Sequence, residues 1–257
     1  IFIPKEDSNE LRTAISPEVV KKLSGSGHEI FIETNAGSGS NFDDEILIEA
    51  GAKIYNDNNQ LKTADFIFRV NAPSENEIAI YKEDSILIAS LNPYNNIEII
   101  KKLEAQKTIS FAMELMPRIT RAQSMDVLSS QSNLAGYQAV IEASNIFNKA
   151  MPMMMTAAGT IAPAKVMVFG AGVAGLQAIA TAKRLGAIVS ATDVRMVAKE
   201  QVESLGGKFV MVEMEEDEDS ETSGGYAKEM SEEFKLKQAE LISKTISSQD
   251  IVICTAL

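Results

Sequence analysis

The chain has 257 residues, 45% hydrophobic and 23% charged, which is the composition of a folded globular protein and a length that suits two domains. Its formal net charge of −12 argues against nucleic-acid binding, which needs a basic surface. A single cysteine and a single histidine exclude an intramolecular disulfide and a zinc cluster, and leave only a carboxylate-bound ion open.

The longest uncharged runs are residues 150–164 and 166–182, and both fall short of the ~20 apolar residues that a membrane helix needs. The first residues do not have the pattern of a signal peptide. The chain begins without Met and stops at DIVICTAL, where a strand would be ending. We therefore expect a fragment of a longer polypeptide, truncated at its carboxyl end.

Residues 1–123 alternate short β-rich runs with helical patterns. Several of the strand candidates are apolar on both faces, as buried parallel strands are: IFIP, HEIFIE, DFIFRV, SILIAS and TISFAMEL. Between them, helices are indicated by SPEVVKKLSG (with a Ser cap and Pro at the first helical position), DDEILIEAG and NNIEIIKKLEAQ. This alternation predicts a Rossmann-like α/β domain with a parallel sheet.

The periodicity changes in residues 124–150, where Val127, Leu134 and Ile141 recur every seven residues and predict one long linking helix. After a predicted loop, MPMMMTAAGTIAP, a second alternation begins with KVMVFG, AIVSATD and KFVMVE as strands. Residues 151–257 are thus predicted to form a second Rossmann-like domain. The expected fold class is α/β, with two Rossmann-like parallel-sheet domains joined by a long helix around an interdomain cleft.

A glycine-rich turn, GAGVAG, lies between the strand and the helix that open the second domain. Gly170 permits a tight turn, Gly172 lets a pyrophosphate approach the main chain, and Gly175 lets helix and strand pack closely. The helix that begins at Val173 presents unpaired N–H groups and a partial positive charge to phosphates. A glycine-rich strand–helix turn without a ligand is the structural alternative.

The next predicted strand ends in Asp193, whose carboxylate can accept hydrogen bonds from both adenosine ribose hydroxyls. A carboxylate there would repel a 2′-phosphate, so the expected cofactor is NAD(H), with NADP(H) rejected. Arg195 lies two residues further on and slightly weakens that exclusion. The residues of this region predicted to bind the cofactor are Gly170, Gly172, Val173, Gly175, Asp193 and Arg195.

An unusual polar stretch, PRITRAQSMDVLSSQSNLAGYQAV, runs from Pro117 to Val140. Its residues 123–133 contain amide, hydroxyl and one Asp side chain but no Lys or Glu, whereas a solvated helix face usually carries long charged residues. Such neutral groups suit the positioning of a ligand, although a merely polar helix is the alternative.

Four long segments are distinctive: RITRAQSMDVLSSQSNLAGYQAVIEA, MPMMMTAAGTIAPAKVMVFGAGVAGLQAIATAKRLGA, KEQVESLGGKF and GGYAKEMSEEF. They resemble the NAD(H)-binding soluble domain of the proton-translocating NAD(P) transhydrogenase alpha subunit. The amino-terminal IFIPKEDSNELRTAISPEVVKKL also resembles alanine dehydrogenase, which is more distant. That family's pattern has a Lys in VKEP and a catalytic His on the next strand. Here Asn71 stands in VNAP, ILIASLNP has no His, and His28 is interpreted as structural, so Arg12 alone remains of such a site.

The transhydrogenase resemblance implies roles inside the polar stretch. Arg118 and Asp126 are implied as a charged pair beside the nicotinamide, and Gln123 as a contact to the nicotinamide ribose that reaches toward a second nucleotide. These three are the expected catalytic residues, with Ser129 as a carboxamide partner. Tyr137 is left open as a packing residue. Further along, the resemblance implies that GGYAKEM is a mobile loop closing over the cofactor, in which Gly225 and Tyr226 contribute.

The implied reaction is direct hydride transfer between NAD(H) on this chain and NADP(H) on a separate domain. Transfer between two nicotinamides needs position, orientation and water exclusion rather than a protein acid or base. The resemblance further implies a homodimer, catalytically incomplete alone, that docks on a membrane domain coupling hydride transfer to proton translocation, on the cytoplasmic or matrix-like face. An alanine dehydrogenase-like NAD-dependent oxidoreductase and a non-catalytic NAD-sensing module are the alternatives.

Overall fold

The computed structural model describes residues 1–57, 59–212 and 232–256, with the side chains of 232–235 left aside. The chain divides into two compact units, Ile1–Val127 and Leu128–Leu257. None of the helices in these described ranges is long and apolar enough to cross a membrane.

The described part of the first unit contains one six-stranded sheet in which all neighbouring strands are parallel. Its strands are β1 (Phe2–Ile3), β2 (Phe31–Glu33), β3 (Lys53–Tyr55), β4 (Phe66–Phe68), β5 (Ile86–Ala89) and β6 (Ile109–Ala112). The α-helices between them are α1 (Pro17–Gly25), α2 (Asp44–Glu49), α3 (Glu75–Ile78) and α4 (Ile97–Ala105). The strand order β3-β2-β1-β4-β5-β6 reverses direction between β1 and β4, as in doubly wound folds.

Local sequence signals explain where the helices of this unit begin. The Ser16 side chain accepts a hydrogen bond from the Val19 N–H, and Pro17 occupies the first turn of α1. A capping box between Ser74 and Glu77 starts α3. Side chains of successive strand residues point to opposite faces, so β1 places Phe2 in one buried cluster and the next residue in the other.

The second unit begins with most of the long helix α5 (Val127–Ile146) and continues with a second parallel sheet, of order β11-β10-β9-β12 among the described strands. The remaining strands are β7 (Met154–Thr156), β8 (Gly159–Ile161), β9 (Lys165–Phe169), β10 (Ile188–Thr192), β11 (Lys208–Phe209) and β12 (Ile251–Cys254). The remaining helices are α6 (Val173–Arg184), α7 (Val197–Ser204) and α8 (Glu232–Ile246). The order again reverses direction, here between β9 and β12.

The expected α/β fold with two parallel sheets is confirmed, but local assignments differ from the sequence pattern. The predicted loop MPMMMTAAGTIAP contains an antiparallel hairpin in which β7 pairs with β8. The long helix begins at Val127 rather than at Ser124, because residues 120–125 form a 3-10 turn. The pattern also misses β3, α3, α7 and α8, three of which are short.

Candidate functional site

The glycine turn begins where β9 ends. Gly170 has a φ of +85°, a conformation that L side chains rarely adopt, and this sharp turn re-aims the chain toward α6. The Gly170 N–H donates to the Thr192 carbonyl at the end of β10, at 2.9 Å. The turn is therefore held by backbone geometry at the carboxyl edge of the sheet.

The other two glycines of the turn, Gly172 and Gly175, differ in what surrounds them. A Cβ at Gly175 would lie 1.8 Å from the Gly170 carbonyl oxygen, so only glycine lets the first turn of α6 approach the strand end. A Cβ at Gly172 would meet nothing within 4 Å, so open space lies in front of it. Gly172 is the N-cap of α6 and provides no side-chain cap, which leaves the first N–H groups from Val173 onward available to an anion.

Asp193 follows β10, and its side chain is only 7% exposed. One carboxylate oxygen accepts the Ala171 N–H at 2.7 Å, inside the glycine turn. Arg195 supplies its backbone N–H at 2.9 Å and its guanidinium Nε and NH2 at 2.9 and 3.0 Å. Burial raises the pKa of the Asp193 carboxyl, but these hydrogen bonds from Arg195 and Ala171 outweigh it, and the net pKa lies below its ordinary value.

Two further residues support this edge, and the sequence pattern does not identify them. The Thr255 hydroxyl, just after β12, lies 3.0 Å from the Phe169 carbonyl oxygen and 2.9 Å from that of Gly170. The Gln238 side chain on α8 donates to the Thr192 hydroxyl at 3.0 Å and accepts the Val212 N–H at 2.9 Å. A hydroxyl residue directly after a predicted strand is a signal that could have found Thr255, whereas Gln238 has none.

Helix α5 packs directly on the first turn of α6. A Cβ at Gly136 would lie 2.0 Å from the Ala174 carbonyl oxygen, so the two helix backbones are in close contact there. One turn further along, Val140 is 1% exposed and belongs to the core of the second unit. Ser129, in the first turn of α5, is half-buried and thus lies on a helix fixed to the glycine turn.

The expected catalytic residues lie at the end of the first unit. Gln123 is exposed in the 3-10 turn of residues 120–125, which is anchored by the buried Ala122. The Asp126 N–H donates to the Gln123 carbonyl at 3.3 Å, so these two residues share one turn, and the exposed Arg118 precedes it. Tyr137 is 47% exposed on α5. Gly225 and Tyr226 lie outside the described residues.

Charged side chains occupy the corresponding edge of the first sheet. Arg69, after β4, forms ion pairs with Glu6, after β1, at 3.0 Å and with Glu77 on α3. Its side chain and that of Glu6 are only 2% and 3% exposed. The second oxygen of Glu6 accepts the Val70 N–H at 2.7 Å, so the carboxylate also fixes the chain that leaves β4.

Next to this network lie Arg12, which alone remains of an alanine dehydrogenase-like site, and Asn71, which replaces that family's Lys. The Arg12 guanidinium pairs with both oxygens of Glu10, at 2.8 and 2.6 Å, and the Asn71 amide donates to the same carboxylate at 3.0 Å. These bonds, first among them that of Arg12, lower the pKa of Glu10 from its ordinary 4.5 to about 2. His28 is exposed on the loop between α1 and β2, away from these residues in the sheet, at the opposite end of β2.

Comparison with known families matches both halves of the chain. Residues 2–135 match the alanine dehydrogenase/PNT amino-terminal domain, and residues 139–257 match the carboxyl-terminal domain of the same family. The chain belongs to the alanine dehydrogenase/PNT family.

Among curated members, the chain is 56% identical over 264 residues to an NAD(P) transhydrogenase subunit alpha polypeptide of Rhodospirillum rubrum, covering all of this chain and 69% of the relative. It is 44% identical to subunit alpha of Haemophilus influenzae, again over its whole length but over half of that protein. Alanine dehydrogenase of Staphylococcus epidermidis is 35% identical, over 80% of this chain and 56% of the enzyme.

Solved structures give the same order of similarity. Transhydrogenase from Sinorhizobium meliloti matches with a TM-score of 0.89 and 53% identity, over 100% of this chain and 69% of that one. An L-alanine dehydrogenase matches with a TM-score of 0.72 and 25% identity, over 81% and 60%. The resemblance to the transhydrogenase alpha subunit, with alanine dehydrogenase more distant, is therefore confirmed.

Proposed function

We propose that the chain is the NAD(H)-binding component of a proton-translocating transhydrogenase. The observation that carries this proposal is the glycine turn of the second unit. Open space in front of Gly172 faces an uncapped helix start, and the Asp193 carboxylate stands at the end of the neighbouring strand. A pyrophosphate fits the first feature and a ribose diol fits the second.

The nature of the expected catalytic residues supports direct hydride transfer. C4 of one nicotinamide delivers hydride to C4 of the other, so the protein has to position the rings and exclude water. We assign Arg118, Gln123, Asp126 and Ser129 to that positioning. The amide of Gln123 and the hydroxyl of Ser129 can hold carboxamide and ribose groups without offering a proton to the reduced ring.

The second nucleotide site belongs to another domain in this proposal. The sequence carries one GxGxxG fingerprint, and the Asp193 carboxylate would repel a 2′-phosphate, so NADP(H) requires a partner. The relatives from Rhodospirillum rubrum and Haemophilus influenzae are named subunits of NAD(P) transhydrogenases, and this supports docking on NADP(H)-binding and membrane domains. A homodimer that docks there, with proton translocation supplied by the membrane domain, completes the proposed assembly.

A mixing experiment tests the proposal. The chain is combined with the NADP(H)-binding domain of a transhydrogenase, and hydride transfer from NADPH to an NAD analogue is followed by absorbance. We expect transfer only in the mixture. Tight NADH binding without transfer would favour the NAD-sensing module, and NADH oxidation by pyruvate and ammonia without a partner would favour an alanine dehydrogenase-like enzyme.

Two substitutions separate binding from transfer in the same assay. Asp193→Ala should weaken NADH binding, by about tenfold or more, because the ribose loses its acceptor. Gln123→Asn should leave NADH affinity nearly unchanged and slow transfer, because the shortened side chain no longer spans the gap between the nucleotides. Gln138→Asn, the same change at an exposed position of α5, is the control. Loss of NADH binding in Gln123→Asn would contradict the role assigned to Gln123.

A further inference from the structure

The carboxylate of Asp193 is already fully occupied by hydrogen bonds within the protein. An ionised carboxylate offers about four acceptor positions. Here four N–H groups are directed at them: two from the backbone, at Ala171 and Arg195, and two from the Arg195 guanidinium. A ribose diol needs two of the same positions, so ribose and guanidinium compete for one carboxylate.

We propose that Arg195 is a specificity-determining residue that binds Asp193 in place of the ribose hydroxyls and must leave when the nucleotide enters. This inference rests on the proposed binding of NAD(H) at the glycine turn. Arg195 then has two effects on nucleotide binding. It lowers the affinity for NAD(H), and it makes the binding of NADP(H) less unfavourable.

The first effect is a lower affinity for the adenosine half of NAD(H). The two backbone donors are fixed by the turn and by the strand end, so the guanidinium is the partner that can move. The Arg195 side chain is 23% exposed, against 7% for Asp193, so the guanidinium is the more solvent-accessible of the two partners. Its fork geometry holds both oxygens at once, a bidentate arrangement that an ammonium group cannot reproduce. The nucleotide must break this arrangement before its hydroxyls can bind.

The second effect is weaker discrimination against NADP(H). After displacement, the guanidinium remains tethered two residues from Asp193, close to the ribose edge. A cation there offsets part of the repulsion between the carboxylate and a 2′-phosphate. Arg195 therefore narrows the difference in affinity between NADH and NADPH that Asp193 alone would set.

Binding titrations of the intact chain with Arg195→Lys, Arg195→Ala and wild type test both effects. The probes are NADH, NADPH, adenosine and 2′,3′-dideoxyadenosine, measured by calorimetry. Adenosine is uncharged, so loss of the attraction between a cation and the pyrophosphate does not enter its affinity. Arg184→Ala, a change at an exposed arginine at the end of α6, is the matched control.

We expect both Arg195 variants to bind adenosine about three- to tenfold more tightly than wild type, the effect of removing one partly exposed ion pair. Dideoxyadenosine should show no such gain, because it lacks the competing hydroxyls. The ratio of the NADPH to the NADH dissociation constant should rise in Arg195→Ala. Arg195→Lys keeps the positive charge, so this variant tests only the contribution of the bidentate hydrogen bonds from the guanidinium to Asp193.

Adenosine affinity that is unchanged or lower in both variants, while wild type binds NADH, would overturn this inference and leave the proposed function intact. An equal gain for dideoxyadenosine would also overturn it. Failure of wild type to bind NADH would overturn the proposed function and this inference together.

Discussion

At the carboxyl end of β1 the first unit places Glu6 against Arg69, whereas at the carboxyl end of β9 the second unit places a turn of glycines. Both points lie where the strand order of a parallel sheet reverses. Doubly wound sheets bind ligands in the crevice at such points. In the first unit long charged side chains occupy this place, and in the second unit backbone N–H groups line it.

The difference shows that a topological crevice is not by itself a binding site. In the first unit the nearly buried ion pair of Arg69 and Glu6 fills the crevice. A ligand could enter only by separating the two charges and leaving one of them buried and unpaired. Gly170 and Gly172 place no side chain at this point and leave an uncapped helix start. The same topology thus gives a buried ion pair in one unit and the proposed nucleotide site in the other.

The largest effect is expected from Arg69→Met, which keeps the side-chain volume and removes the charge between Glu6 and Glu77. The carboxylates of Glu6 and Glu77 then lose their cationic partner in a largely buried environment. The free energy of unfolding of the first unit should therefore fall by about 3–5 kcal/mol. Urea denaturation measures this, with Arg184→Ala as an exposed control. NADH affinity should stay within about twofold while the variant remains folded, because Arg69 belongs neither to the glycine turn nor to the proposed nicotinamide-positioning residues 118–129.

Two glycine substitutions at the turn after β9 distinguish a packing role from a ligand-binding role. Gly175→Ala drives a methyl group against the Gly170 carbonyl and should cost about 1–3 kcal/mol of stability, with loss of NADH binding. Gly172→Ala places its methyl in open space, so the melting temperature should hardly change while NADH affinity drops. Calorimetry and thermal melting separate the two, and equal loss of stability in both variants would contradict the proposed division of roles.

The smallest expected effect is the contribution of Glu10 to the pH dependence of folding stability. Its pKa is lowered in the folded chain from 4.5 to about 2, so its contribution is present above pH 4.5 and is lost as the pH falls toward 2. Because the partner Arg12 is 49% exposed, we expect less than about 1 kcal/mol. The gap in urea midpoint between wild type and Glu10→Gln should be present at pH 6 and should narrow as the pH falls below 4.5. Glu104→Gln on α4, the same change at an exposed position, is the control.

The sequence predicts what depends on near neighbours in the chain. The roles of Gly170, Gly172 and Gly175 follow from a pattern six residues long, and the alternation of strands and helices gives both sheets. The sequence pattern does not indicate the hairpin of β7 and β8, because this hairpin is short, rich in Met and lacks an Asn-Gly type of turn signal.

Contacts between distant parts of the chain could not be predicted. Glu6 and Arg69 are 63 positions apart, and nothing in either segment shows that they pair. Gly136 reads as an unfavourable helix residue until its approach to Ala174 is known. The spacing places Arg195 two residues after Asp193, but only the structure shows that the guanidinium takes both oxygens.

The Thr255 contact has a consequence for the order of events on the ribosome. Its hydroxyl meets the Gly170 carbonyl across 85 positions, so the glycine turn is synthesised long before the group that braces it. At ordinary rates of translation this delay lasts about 4–17 s. During that interval the emerging chain carries the proposed phosphate-binding turn without its support from β12, so we expect a nucleotide to bind the nascent chain only after this last strand has joined the sheet.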